Sequence, residues 1–225
     1  MEFVLLRHGQ PEWVRDGLCV IDPPLNENGF AQAEHLGEAL QREHFDEFLV
    51  SPLLRARQTA VPLATKLGRE PEIVHWLEEC REPDWHGEPA EVSKRAYATD
   101  RLQAPQDRWN GVPGGESMRD FTNRIHRGLA ELLAAHGITR VPSDLPVWDI
   151  EAPGRRIAWV AHGGTNTVTI SHLLGLQPVP WEWDRFVIGH ASICRLIATP
   201  VGKHFTFSLT RLSGVEHLPE SLRTF

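Results

Sequence analysis

The sequence predicts an α/β fold: a three-layer α/β/α sandwich, with a mostly parallel central sheet and helices on both faces. Three observations carry that expectation. Short apolar runs at residues 3–6, 48–50 and 157–161 alternate with longer segments of helical periodicity, the pattern of strands buried on both faces. Charged or polar residues follow each run directly, as Arg7-His8-Gly9, Ser51-Pro52-Leu53-Leu54-Arg55 and His162-Gly163-Gly164. With 225 residues and 41% hydrophobic content, the chain can bury a substantial core, most simply as one domain over residues 1–225.

Taken in order, Glu2 to Arg7 reads as a buried strand that runs into the Arg7-His8-Gly9 loop. Asn26 can cap a helix reaching about Arg42, with Phe30, Ala33, Leu36 and Leu40 on one face. Asp46 to Ser51 is the second buried strand. Pro52 suits the start of a helix that Gly68 ends, and Glu72 to Trp76 is a brief third strand. Prolines 83, 89, 105 and 113 break up the next stretch. It holds one helix near Ala90 to Leu102 and reads as a lid or insertion around residues 83–115. Glu116 opens a long amphipathic helix, with Met118, Phe121, Ile125, Leu129 and Leu132 at helical spacing and Gly137 as its stop. Val141 to Gly154, polar and proline-containing, reads as a surface loop. A strand to Ala161 and a helix to Leu174 follow. His190 to Ala198 and Phe205 to Leu212, joined through Pro200-Val201-Gly202-Lys203, read as a closing hairpin.

Composition excludes several functions. A net charge of −7 argues against a nucleic-acid partner and requires any anionic substrate to be drawn by a local basic pocket. No apolar run approaches the ~18–20 residues that cross a membrane. The start lacks the pattern of a signal peptide, which makes the cytoplasm the expected location. Cys19, Cys80 and Cys194 are far apart, and the twelve histidines are scattered. No disulfide framework, metal site or cofactor is therefore expected. The oligomeric state stays open, a homo-oligomer included.

Singly, the residues at the strand ends identify nothing. His8 alone reads as a histidine hydrogen-bonded to backbone at a strand end, Arg55 as a surface arginine, His162 as turn chemistry. Together they place two histidines and two arginines at carboxyl ends of parallel strands, where they would share one crevice. Burying that much positive charge is costly unless an anion normally fills the site. Phosphate fits, because arginine's planar fork binds its oxygens in pairs.

In this order the motifs resemble the histidine phosphatase superfamily, also called phosphoglycerate mutase-like. Leu6-Arg7-His8-Gly9-Gln10 is similar to its signature, and Asp22-Pro23-Pro24-Leu25-Asn26-Glu27-Asn28-Gly29 with Gln32-Ala33 to the segment that follows. Ser51 to Ala60 resembles its second basic motif. Leu77-Glu78-Glu79 with Trp85-His86-Gly87 resembles its acid segment, and Gly114-Gly115-Glu116-Ser117 and Val160-Ala161-His162-Gly163-Gly164 complete the series. The resemblance implies that His8 is the nucleophile and becomes a phosphohistidine. Arg7, Arg55 and His162 would bind the phosphoryl oxygens, with Gln10 and Gly163 as further substrate contacts. Glu79 would protonate the leaving oxygen and then activate water; Glu78, Glu82 and Asp84 read as a solvated acidic loop. No metal is implied.

The sequence departs from a phosphoglycerate mutase in two places. Gln10-Pro11 stands where such mutases usually have Glu-Ser, and Gly164-Thr165-Asn166 follows His162-Gly163 in place of Asn-Ser-Leu. His86 also replaces the common glutamate after the tryptophan. The expected function is a metal-independent phosphatase acting on a small phosphorylated metabolite. Phosphoryl transfer of the mutase type, or non-catalytic binding of a phospho-ligand, are the alternatives. Specificity is expected from residues 88–111, which offer Lys94, Arg95, Arg101 and Arg108, and from a wall of Trp181, Trp183 and His190.

Overall fold

The structure is a computed structural model that describes all 225 residues. Its strands are β1 (Glu2–Arg7), β2 (Val14–Arg15), β3 (Leu18–Cys19), β4 (Glu47–Val50), β5 (Glu72–Ile73), β6 (Ile138–Arg140), β7 (Trp148–Ile150), β8 (Arg156–Ala161), β9 (Ile193–Val201) and β10 (His204–Gly214). Its helices are α1 (Glu27–Leu40), α2 (Leu54–Leu67), α3 (Ala90–Arg101), α4 (Met118–Ala135), α5 (Gly163–Leu173) and α6 (Glu182–Arg185).

Eight strands form one sheet in the order β5-β4-β8-β1-β9-β10-β7-β6. The α/β reading holds, and the sheet is mixed. The first four strands are parallel, and the pairings from β1 through β9, β10 and β7 to β6 are antiparallel. Strand periodicity explains how such short runs serve two cores. Side chains alternate faces, so Phe3 and Leu5 of β1 enter the cluster that holds Leu129, Leu133, Ile170 and Leu173 of α4 and α5. Val4 and Leu6 enter the opposite cluster, with Leu36, Leu40, Ala60 and Leu63 of α1 and α2. Ile157 and Trp159 of β8 divide from Ala158 and Val160 in the same way. No helix is long and apolar enough to cross a membrane.

Local signals set the helix ends. The Asn26 side chain accepts from Gly29 N–H to cap α1, and Ser117 caps α4 through Asp120 N–H. Gly68, left-handed at φ 62°, ends α2. Pro52 precedes α2 by two residues, outside its first turn.

Three expectations need correction, and one hairpin was not expected. Phe30 is 48% exposed, because α1 buries Gly29, Gln32, Ala33, Leu36, Gly37 and Leu40 instead. The third strand is two residues long and gives way to a 3₁₀ turn, His75–Leu77. The segment 141–154 contains β7: Trp148 and Ile150 are buried on either side of exposed Asp149, and Trp148 pairs with Phe205 of β10. A hairpin, β2–β3, turns at Asp16-Gly17 with φ of 52° and 80°, the turn chemistry that an Asp-Gly pair favours.

Candidate active site

Strands β1, β4 and β8 each deliver a charged or polar segment at their carboxyl ends, where open α/β sheets collect reactive groups. Arg7 ends β1 and His8 follows it. Ser51 follows β4, Arg55 lies in the first turn of α2, and His162 is the N-cap of α5.

His8 is 2% exposed. Its Nδ1 lies 2.7 Å from the Gly9 carbonyl, which can only accept, so Nδ1 carries the proton. Nε2 keeps its lone pair and accepts from Arg55 Nε at 3.3 Å. Burial, reinforced by Arg55, His162, Arg7 and His190, holds the pKa of His8 well below the ordinary histidine value. The ring is neutral at pH 7, and Nε2 keeps an available lone pair.

The loop that bears His8 is clamped. Gly9 N–H donates to Thr59 Oγ1 at 2.9 Å, and Ala191 N–H donates to the His8 carbonyl at 3.1 Å. The backbone of α1 packs on it so closely that a Cβ at Gly29 would lie 2.1 Å from the Gln10 carbonyl oxygen. Only glycine fits there.

Two guanidiniums flank the imidazole. Arg55 is 4% exposed, with Asp22 at 3.7 Å. Arg7 donates to the Ile188 carbonyl and, at 3.1 Å, to His190 Nε2. Burial lowers its pKa to about 10, opposed by Glu79 and aided by Arg55. His190, whose Nδ1 donates to Thr224 Oγ1 at 2.9 Å, is held at about 3 by burial and by Arg7. His162, fully buried, meets Ser51 Oγ at 2.7 Å through Nε2. Its Nδ1 and the Nε of Arg7 are buried without partners. Such groups cost ~1–3 kcal/mol each when unsatisfied.

Glu79 reaches the cleft from the segment after the 3₁₀ turn. Its carboxylate accepts from Cys80 N–H at 3.0 Å, Gly164 N–H at 2.9 Å and Trp183 Nε1–H at 3.2 Å. The Gly164 donor lies in the first turn of α5, where the helix end favours negative charge. A Cβ on Gly164 would lie 2.6 Å from Glu79 Oε1, so this glycine admits the carboxylate. Arg124 of α4 braces the same segment by donating to the carbonyls of Trp76, Glu78 and Glu79, each at 3.1 Å. Glu116 fixes Arg124 in turn, at 2.7 Å. The Gly114-Gly115-Glu116-Ser117 motif thus acts on the site through the backbone that carries Glu79.

Arg7, His8, Arg55, Glu79 and Gly163 line one cleft of about 830 Å³. His162 does not line it; its ring centroid lies 5.0 Å from that of His8. Gln10 is not brought into the cleft; its side-chain oxygen accepts from Asn28 at 3.3 Å. Among the neighbouring carboxylates, Glu78 pairs with Arg81 at 2.9 Å and Glu82 accepts from the Tyr97 hydroxyl, while Asp84 is exposed. Arg101, Arg108 and Trp183 line the cleft; Lys94, Arg95 and Trp181 do not. His86 Nδ1 accepts from Ile21 N–H at 3.4 Å, tying the acid segment to the chain after the β2–β3 hairpin. His190 was expected only as a wall, and its bonds make it a support of Arg7. Its sole sequence signal was a histidine opening a predicted strand.

Buried neutral histidines make stability depend on pH. Burial holds His172, in contact with His126 and Trp148, at about 4, whereas the unfolded chain takes up that proton near 6.5. Between those values the unfolded state binds more protons, so stability is present above pH 6.5 and is lost as pH falls. Each such histidine steepens the fall by up to ~1.4 kcal/mol per pH unit. His172→Gln is expected to flatten the dependence of the urea midpoint between pH 6.5 and 4.5; parallel curves for parent and variant would refute it.

The sequence profile of the histidine phosphatase superfamily (branch 1) matches residues 3–142. The chain is 32% identical to phosphoserine phosphatase 1 of Hydrogenobacter thermophilus over 146 residues, spanning 60% of this chain and 66% of that protein. It is 28% identical over 205 residues to a probable phosphoglycerate mutase of Salmonella choleraesuis, covering 87% and 84%. A mycobacterial glucosyl-3-phosphoglycerate phosphatase superposes with a TM-score of 0.70 at 27% identity, over 95% of this chain and 99% of that one. The profile match, reaching from β1 past the end of α4, and the cluster at three parallel strand ends lead to the same place: the chain belongs to the histidine phosphatase superfamily.

Proposed function

We propose that the protein hydrolyses a phosphate monoester through a phosphohistidine on Nε2 of His8, with Glu79 as general acid and base. One observation carries the reading. A neutral imidazole, its free Nε2 turned toward Arg55, sits among cations inside a cleft that also holds a carboxylate. Family membership and the phosphatases among its relatives support the phosphoric monoester hydrolase class.

The arrangement supports the following steps. Nε2 attacks phosphorus in line as the bond to the ester oxygen breaks, and Glu79, which enters this step as the protonated acid, passes its proton to that oxygen. Arg7, Arg55 and His162 stabilise the charge on the transferring phosphoryl oxygens. Gly163, at the amino end of α5, adds the favourable end of a helix dipole. Glu79, now a carboxylate, takes a proton from water; the water oxygen bonds to phosphorus, the N–P bond breaks, and phosphate and neutral His8 are regenerated.

Phosphoryl transfer of the mutase type is a second reading, favoured by the 28% identity to a probable phosphoglycerate mutase. Supplying 2,3-bisphosphoglycerate with 3-phosphoglycerate and following 2-phosphoglycerate separates the two. Turnover of p-nitrophenyl phosphate in EDTA tests both against simple binding, and tests independence from metal.

The anion site makes a further prediction. Vanadate, whose trigonal-bipyramidal adducts resemble the transition state, is expected to inhibit competitively and far more strongly than sulfate. Arg55→Lys is expected to lose ~10²-fold or more in kcat/KM, because an ammonium cannot reproduce the two-pronged contact. Equal inhibition by vanadate and sulfate would remove the site from consideration.

A further inference from the structure

The cleft extends well beyond His8, and its outer walls differ in character from its floor. Of the seventeen large hydrophobic side chains that the protein exposes, seven line this cleft, among them Trp13 at 40%, Ile21 at 41%, Val187 at 64% and Phe225 at 73%. Soluble proteins scatter such residues singly, and a shared concave wall marks a place where something apolar binds. The wall begins at the chemistry itself. Trp13 carries the Arg55 guanidinium 4.9 Å from its ring centroid. Trp183 donates to Glu79 and is stacked on Phe121, with centroids 5.7 Å apart and planes 7° from parallel. A leaving oxygen between the phosphoryl group and Glu79 therefore starts its substituent beside two indoles.

The charges along the outer cleft are already matched. Arg81 pairs with Glu78 at 2.9 Å, and Arg108 lies between Asp100 at 3.4 Å and Asp184 at 3.6 Å. Glu82 adds another carboxylate to the wall. Arg101 alone stands there without a carboxylate partner, on the exposed surface. A second negative group on the substrate would lie among Glu78, Glu82 and Asp184, with Arg101 as the one cation there free of a carboxylate.

Building on the phosphatase reading above, we infer that the preferred substrate is a monophosphate of a bulky apolar or aromatic alcohol, with no second acidic group. The apolar wall grips the leaving group, and the cationic floor takes the single phosphate.

The test is a series of ethyl, butyl and hexyl phosphate and 2-naphthyl phosphate, with 3-phosphoglycerate and phosphoserine as carboxylate-bearing comparators. Burial of each CH₂ is expected to raise kcat/KM about three- to fourfold while the chain remains within the cleft. Hexyl and naphthyl phosphate should exceed both comparators by at least ~10-fold. The Val187→Ser, Phe225→Ser double variant, changed at two exposed positions, should lower the hexyl-to-ethyl ratio. Because that ratio is taken within each protein, a general loss of activity cancels. Lys94→Gln, a change outside the cleft, should leave the alkyl series unaltered. A flat alkyl series, an unchanged ratio in the double variant, or preference for phosphoglycerate or phosphoserine overturns this inference and leaves the phosphatase reading standing. If no ester is turned over, p-nitrophenyl phosphate included, the phosphatase reading falls and this inference falls with it.

Discussion

His8→Ala and His8→Asn are expected to lose more than ~10³-fold in kcat, as nucleophile replacements do when the residue acts as part of a unit. The reason lies in what the imidazole supplies. Nδ1–H donates to the Gly9 carbonyl, leaving Nε2 unprotonated beside Arg55, and neither alanine nor asparagine offers a basic nitrogen there. The scaffold should survive, because Gly9, Ala191 and the α1 backbone hold the loop through main-chain contacts. Far-UV circular dichroism and the urea midpoint check that. Rapid quench with ³²P-labelled substrate should trap an acid-labile, base-stable phosphoprotein in the parent and none in either variant. A folded variant retaining more than a tenth of parental activity would exclude His8 as the nucleophile.

What could be read from the sequence followed from how local each signal is. Strands β1, β4 and β8 are buried on both faces and appear as unbroken apolar runs, so their ends, and with them Arg7, His8, Arg55 and His162, could be located. Helix α4 was legible because its buried residues recur at helical spacing over eighteen residues. Strand β7 was not, since a three-residue alternation at 148–150 is too short to stand out from the polar residues around it. Phe30 was misplaced because α1 turns Gly29 against the Gln10 backbone, which leaves the next residue facing outward. The support given by His190 to Arg7 joins residues 183 positions apart. The same holds for Trp183 and Glu79, 104 apart. Neither pair leaves a periodic trace. Arg124 acts on backbone carbonyls, a role that no side-chain pattern announces.

Glu79→Gln carries the most discriminating expectation. A general acid matters in proportion to how poor the leaving group is, and contributes ~10²–10⁴ in rate when the departing oxygen must be protonated. Alkyl phosphates release an alkoxide and should lose rate within that range in the variant. p-Nitrophenyl phosphate releases a stable phenolate and should lose far less. Glutamine keeps an oxygen to accept from Gly164 N–H or Trp183 Nε1–H, so the contacts at 2.9 and 3.2 Å can persist while the transferable proton is gone. The same carboxylate is proposed to activate water in the second step, so phosphoenzyme could accumulate; single-turnover phosphorylation is therefore the step to measure. Glu82→Gln and Asp84→Asn are the controls. Glu82 accepts from Tyr97 and Asp84 is exposed, and neither change should show dependence on the leaving group. Equal losses on both substrate types in Glu79→Gln, or a selective loss in Glu82→Gln, would move the acid to another residue. The selective loss in Glu79→Gln alone would tie the proton to the one carboxylate that α5 and Trp183 hold at the cleft.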